Sequence, residues 1–320
     1  MEKVLVHYFS GTGNSLLAAK QLAEELIKDN CQLIFQAIED GQGQVLHNDF
    51  ELHLFFFPIY ATSVPHIVRK YIRGLPDGKK AKAAIITTNG KISTKFRDGY
   101  QGWALHQARL CLYLKNYEVF FSETLDYPHN ITSAFPPRKA EINREIISQA
   151  TPRIRSIAKK IIAREKSHRS FFWPNIIWSL PFGLFYSLLG RRLIGKMFVA
   201  DSSCNLCGFC QKKCPVNAIK ITDEKISWNW NCEGCLRCIN FCPKQAIQMS
   251  AVRFLVFSSV IFNILLGTLS FIIVLIALDW LIYRASRIPI LKDLVNWGHS
   301  KFYGRYRAQQ FESQFLDQDQ

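Results

Sequence analysis

The sequence predicts an α/β chain: a doubly wound parallel sheet at the amino end, a small cysteine-rich module after it, and an apolar helix towards the carboxyl end. Three observations predict this. Short β-prone runs alternate with helical stretches through residues 1–165. Eight of the ten cysteines fall between Cys204 and Cys242. Residues 254–278 are 25 consecutive positions without a charge.

The elements follow in order. Val4–Phe9 is a short apolar run, and Ser15–Ile27 is helical in composition and period. Cys31–Ile38, Leu52–Phe57, Ala83–Thr88 and Tyr117–Phe121 are further β-prone runs, with helical stretches around Pro65–Arg73 and Gly102–Leu114. Five strands alternating with helices imply a parallel sheet covered on both faces. Ligands bind such sheets at the carboxyl ends of the strands. Cys31 and Cys111 fall in apolar elements and read as small buried hydrophobes.

Residues 138–169 read as a basic helix, with ten Lys or Arg against three Glu. The stretch 171–190 is uncharged and aromatic, but Pro174 and Pro181 break a simple span, so it reads as interfacial or packed on protein. The expected divisions are 1–165 for the sheet domain, 166–200 for a basic and aromatic linker and 201–250 for the cysteine module. A membrane helix within 251–283 and a polar tail over 284–320 complete them.

A hydrophobic share of 48% excludes wholesale disorder. The net charge of +15 fits nucleic acid, an anionic membrane surface or an acidic protein. No nucleic-acid-binding motif accompanies it, so no nucleic-acid partner is expected. Ten cysteines are too sparse for the disulfide scaffold of a small secreted protein. Met1-Glu2-Lys3 leads straight into Val4-Leu5-Val6, without a signal peptide, so the reducing cytoplasm is the expected compartment. Clustered cysteines there point to metal.

The cysteine module repeats itself at an offset of 28 residues. Cys204-x2-Cys207-x2-Cys210-x3-Cys214-Pro215 is matched by Cys232-x2-Cys235-x2-Cys238-x3-Cys242-Pro243, and Ala218-Ile219 by Ala246-Ile247. Thiolates are soft ligands that suit iron–sulfur clusters. In such runs the Cys before Pro ligates the other cluster. Cluster one should therefore take Cys204, Cys207, Cys210 and Cys242, and cluster two Cys232, Cys235, Cys238 and Cys214. Zinc favours paired C-x2-C elements with a longer spacer. Trp228 and Trp230 lie between the runs, where they shield a cluster or pack in the core. The stretch resembles bacterial-type ferredoxins with two 4Fe-4S clusters, small α+β proteins, and all eight ligand positions match.

The first predicted strand ends in Ser10-Gly11-Thr12-Gly13-Asn14-Ser15. Two Gly and four small polar residues between a strand and a helix make an anion cradle, in which backbone N–H groups and the helix N-terminus face a phosphate. No Lys-Ser or Lys-Thr follows, so it is not a P-loop. Leu16 stands where a dinucleotide fingerprint needs Gly or Ala. A cradle without Lys or Arg suits a phosphate monoester.

This loop resembles the phosphate loop that holds FMN in flavodoxins. The resemblance implies strand order 2-1-3-4-5. It also implies ring contacts from Pro58-Ile59-Tyr60-Ala61-Thr62, with Tyr60 stacked on the isoalloxazine, and from Thr87-Thr88-Asn89-Gly90 opposite. Asp126-Tyr127-Pro128-His129-Asn130 also resembles family members. Lys91, Lys95 and Arg97 depart from the small and acidic residues usual there. A flavodoxin-like half followed by a two-cluster ferredoxin half resembles a group of fusion proteins of anaerobic bacteria and archaea, over roughly residues 1–250. That resemblance implies electron transfer.

At 1.5 Å per residue, 254–278 covers about 37 Å, enough for a tilted membrane span. Trp280 and Tyr283 fit an interfacial belt, whereas Arg284, Arg287 and Lys292 at the far end run against the positive-inside expectation. The basic segment and Phe171-Phe172-Trp173 are expected on the anionic leaflet. The expected function is a cytoplasmic-membrane electron-transfer protein whose cofactor domains face the cytoplasm. It relays electrons between FMN, two 4Fe-4S clusters and a redox partner protein, in contact with membrane lipid. The alternative is an enzyme reducing its own substrate, such as a quinone. For that, His7, His66, His106 and His129 are catalytic candidates by residue type alone, and no acid–base motif places them.

Overall fold

The computed structural model describes residues 2–41, 49–91, 101–133, 135–169, 174–222 and 225–265. Beyond these it describes positions 277, 278, 280–282, 284, 285, 288, 291, 294, 297, 298 and 305–308. The described residues form two compact units. One comprises Met1–Asn130, Arg138–Leu188 and the described part of Arg307–Gln320; the other comprises Ile131–Pro137 and Leu189–Tyr306. The boundary at 188 falls inside the expected linker.

The first unit is built on β1 (Glu2–Tyr8), β2 (Cys31–Ala37), β3 (Leu52–Pro58), β4 (Lys82–Lys91), β5 (Glu118–Pro128) and β6 (Ser167–His168). All neighbours pair in parallel, in the order β2-β1-β3-β4-β5-β6. The strand order reverses between β1 and β3, which is the switch point of a flavodoxin-like doubly wound sheet. Central strands buried on both faces must be apolar throughout, and Leu54, Phe55, Phe56 and Phe57 of β3 are all fully buried.

Helices α1 (Asn14–Ile27), α2 (His66–Gly74), α3 (Ala104–Tyr113) and α4 (Ala140–Ile162) cover the sheet. In α4, Ile146, Ala150, Ile154, Ile157, Ala158 and Ile161 are buried at helical spacing. Each Ile contributes about 1.5–3 kcal/mol. Pro152 lies inside α4 but on its exposed side. The sheet has six strands where five were expected. The sixth, Ser167–His168, has no apolar run to announce it and forms only because β5 offers a free edge at Phe121 and Ser122. Strand β5 also runs on to Pro128, seven residues past its expected end.

Helix α5 (Pro174–Phe185) follows, with Pro181 inside it, and passes into one π-helical turn, Tyr186–Gly190. Phe171–Trp173 lie outside the described residues.

The second unit contains α6 (Arg191–Met197), β7 (Phe198–Ala200), α7 (Phe209–Lys212), β8 (Ile219–Ile221), β9 (Ile226–Trp228), α8 (Arg237–Phe241), β10 (Ile247–Met249) and α9 (Ala251–Leu265). Two antiparallel ribbons, β7 with β10 and β8 with β9, enclose a small core of Met197, Phe198, Ile219, Trp228, Ile239, Ile247 and Phe257.

The expected membrane helix is not found among the described residues. Among the described residues no helix is long and apolar enough to cross a membrane. Helix α9 covers the start of the expected span, and residues 266–276 within it lie outside the described residues.

Candidate cofactor sites

In the first unit, hydrogen bonds draw together the loops at the carboxyl ends of β1, β4 and β5. Gly13 takes φ 107°, a conformation open to glycine, and caps α1. Ser10 Oγ accepts from the N–H of Gly13 at 3.0 Å and of Ser15 at 3.2 Å, which holds the loop closed on itself. The hydroxyls of Ser15 and Thr88 pair at 2.7 Å. Asn14 Nδ2 donates to the Pro128 carbonyl at 2.8 Å, and Asn130 Nδ2 to Thr12 Oγ1 at 2.7 Å. Ser10, Thr12 and Ser15 are at most 3% exposed, and Gly11 is buried with them.

The loop after β3 joins through Ile59, whose N–H donates to the Thr88 carbonyl at 2.9 Å. It then turns sharply. Tyr60 and Ser63 exchange both backbone hydrogen bonds, at 3.0 and 2.9 Å, around Ala61 (φ 43°) and Thr62 (φ 70°). Two successive left-handed residues define this kind of turn, and glycine or asparagine is its usual occupant. A β-branched Thr there is strained, and such strain persists only where surroundings enforce it. They do so here. Thr62 Oγ1 donates to the Ser179 carbonyl of α5 at 2.8 Å, and the Trp103 N–H donates to the Thr62 carbonyl at 3.1 Å. Tyr60 packs edge-on against Phe9 at 6.4 Å.

Asn89 Nδ2 approaches Asp126 at 3.5 Å, and Lys91 Nζ approaches it at 3.9 Å. The backbone of His129 lies against Gly90 and donates to the Lys91 carbonyl. His129 is 4% exposed, and its Nε2 has no hydrogen-bond partner among the described residues. Burial, with the Arg138 charge second, holds its pKa below the ordinary imidazole value. Lys95 and Arg97 lie outside the described residues.

These residues fit a flavin mononucleotide. The buried cradle offers hydroxyls and amides to a phosphate and places no acid in the loop. Ser10, Gly11, Thr12, Gly13, Asn14 and Ser15 would hold the phosphate. Pro58, Ile59, Tyr60, Ala61, Thr62, Thr88, Asn89 and Gly90 would frame the ring. The other histidines lie elsewhere. His7 is buried in the sheet between Tyr71 (2.8 Å) and His53 (3.0 Å), and His106 sits beside Arg109 on α3.

In the second unit the sequence repeat is also a backbone repeat. Leu206 and Gly208 take left-handed φ values of 57° and 80°; Gly234 and Leu236, 28 positions on, take 67° and 61°. The pair Asn217 and Gln245 matches too, at 50° each. These kinks bend each cysteine-bearing segment in the same way. Behind each loop an amide donates to a sulfur, Ala218 to Cys214 Sγ at 3.2 Å and Ala246 to Cys242 Sγ at 3.3 Å. The Gly234 amide approaches Cys232 Sγ at 3.4 Å.

The thiols gather in two sets. Cys204, Cys207, Cys210 and Cys242 line one cavity with Phe209, Pro243 and Ile247. Cys214 interacts electrostatically with Cys232, Cys235 and Cys238. Burial pushes the thiols of Cys210, Cys232 and Cys235 up to about 12, and that of Cys238 well above its ordinary value. Metal ligation deprotonates such thiols outright. Among the described residues no three His, Cys, Asp or Glu side chains are placed to hold a single ion. A four-iron cubane spreads its thiolates over four metals, and each set supplies the four thiols it needs. All ten cysteines are free of disulfides.

Sequence reading missed the second ring of contacts. Arg191 donates to the Cys232 carbonyl at 3.2 Å, and Gly195 lies so close that an added Cβ would meet Cys232 Sγ at 2.9 Å. Both lie on α6, within a stretch that composition alone marked as linker.

Residues 196–243 match the family model of the 4Fe-4S dicluster domain. An uncharacterized protein of Methanocaldococcus jannaschii is 38% identical over 83 residues, which are 25% of this chain and 32% of the relative. The chain thus spans about a third of that relative's length. Among solved structures, a Megasphaera elsdenii flavodoxin overlaps 49% of this chain and 98% of its own at 14% identity and a TM-score of 0.34. An azoreductase from Bacillus anthracis overlaps 50% and 100% at 12% identity and 0.35. The strand order, rather than these overlaps, carries the fold assignment.

Proposed function

We propose that this flavodoxin–ferredoxin fusion is an electron-transfer protein that relays electrons between FMN, two 4Fe-4S clusters and a redox partner protein. The carrying observation is the gathering of eight thiols in two crossed sets of four. Cys204, Cys207, Cys210 and Cys242 would hold cluster one, and Cys232, Cys235, Cys238 and Cys214 cluster two. When bound, clusters exchange single electrons and a flavin one or two. The protein's part is to shield the sulfurs of the second set from water, direct amides at Cys214 and Cys242, and keep the flavin's phosphate in a neutral cradle. Joining these sites in one chain raises the effective concentration of donor and acceptor.

The proposal includes contact with membrane lipid, with the cofactor units on the cytoplasmic side. Each unit exposes apolar side chains that support this: Ile177, Phe182 and Leu184 on α5 of the first, and Phe254 and Leu255 on α9 of the second. Stoichiometric anaerobic titration with dithionite tests the relay. About four electrons per chain are expected, one for each cluster and two for the flavin; no uptake beyond the flavin's two overturns it.

A further inference from the structure

The two halves of the cysteine repeat carry the same ligands but different neighbours. Glu233 stands where the first half has Asn205, and Arg237 where it has Phe209. Neither charge is on the surface: Glu233 is 1% exposed and Arg237 4%. Arg191 joins them from α6, outside the repeat, and is also 4% exposed. Its guanidinium donates to the Cys232 carbonyl and lies 3.7 Å from the Glu233 carboxylate. Arg237 donates to the Lys213 carbonyl at 3.1 Å, and it stands in the chain between the ligands Cys235 and Cys238. The second half and α6 together therefore bury two cations and one anion beside these ligands, and the equivalent positions of the first half, Asn205 and Phe209, carry no charge.

Burying charged groups is costly, and nothing in the fold of a small ferredoxin module demands it, since the first half does without. The first half has an exposed ligand, Cys207, next to Gly208, which faces open space. Water there can screen an electron added to an anionic cluster. The set of Cys232, Cys235, Cys238 and Cys214 has no exposed member. In such surroundings a fixed cation does the work of solvent, and Arg stays charged at any working pH.

We propose that Arg191, Glu233 and Arg237 are the electrostatic control of the second cluster: their net positive charge favours its reduced state, and Glu233 moderates Arg191. They are positioning residues, and the proposal rests on the ligation reading above.

The test is potentiometric titration of the full-length anaerobic protein with dithionite, followed by electron paramagnetic resonance, with iron counted on the same samples. Arg237→Gln is expected to move one cluster wave negative by at least tenfold in its reduced-to-oxidised ratio, about 59 mV for one electron, and to leave the other in place. Glu233→Gln is expected to move the same wave positive. Removing Arg191 and Glu233 together is expected to move it less than either single change. Arg237→Lys keeps the charge and is expected to leave both waves at their wild-type positions. At full iron content, unmoved waves in Arg237→Gln, both waves moving together, or a shift in Arg237→Lys overturns the proposal. A wild-type protein that takes up no iron overturns the ligation reading instead.

Discussion

The hydroxyls of Ser15 and Thr88 lie 2.7 Å apart, which ties the start of α1 to the end of β4. Both side chains are at most 3% exposed, so neither can turn to water. The pair locks the Ser10–Ser15 loop, which would hold the phosphate, to the loop that would frame the flavin ring.

Thr88→Val keeps the shape and strands the Ser15 hydroxyl. Leaving one buried polar group unsatisfied costs about 1–3 kcal/mol, or roughly 5- to 150-fold in affinity. FMN titration of flavin-stripped protein by fluorescence quenching is expected to show Kd raised within that range. Iron content is expected to stay at the wild-type level.

Gly195→Ala places a methyl against the Cβ and Sγ of Cys232, at 2.4 and 2.9 Å. Either α6 or the ligand loop must move. The expected result is loss of the second cluster alone, with iron falling to about half the wild-type content and the flavin retained.

The turn at Ala61 and Thr62 rests on Gly102, where an added Cβ would come within 2.3 Å of Thr62 Cβ. Gly102 also has φ 53°. Gly102→Ala is expected to destabilise the first unit by about 1–3 kcal/mol through this overlap. A lower urea midpoint for loss of its helical signal, together with weaker FMN binding, checks it.

His106, His129 and His168 are all held below the ordinary imidazole pKa, chiefly by burial. The folded state therefore resists the protons that the unfolded chain accepts below about pH 6.5. Stability is complete above that value and is expected to fall as pH drops through the depressed folded values. His129→Gln is expected to flatten the decline, read as the urea midpoint between pH 7.5 and 5.

What was legible in the sequence was whatever depends on local pattern. The apolar runs of β1 and β3 need only their neighbours on the chain, and the cysteine repeat states its own spacing. What was not legible depends on tertiary context. Ser167 and His168 become a strand because β5 has an edge to pair. Ala61 and Thr62 tolerate left-handed backbone because Trp103 and Ser179 hold them. Arg191 and Gly195 read as linker composition, yet they pack directly on a ligand loop. The uncharged stretch 254–278 read as a membrane span by composition, whereas its described residues are 254–265, which belong to α9 (Ala251–Leu265), and positions 277 and 278.

Cofactor content after anaerobic purification in detergent tests the central claim most directly. Iron, acid-labile sulfide and FMN are to be counted per chain. The account predicts about eight irons, about eight sulfides and one FMN. Zinc in place of iron would contradict it, and about eight irons without flavin would contradict the reading of the Ser10–Ser15 loop.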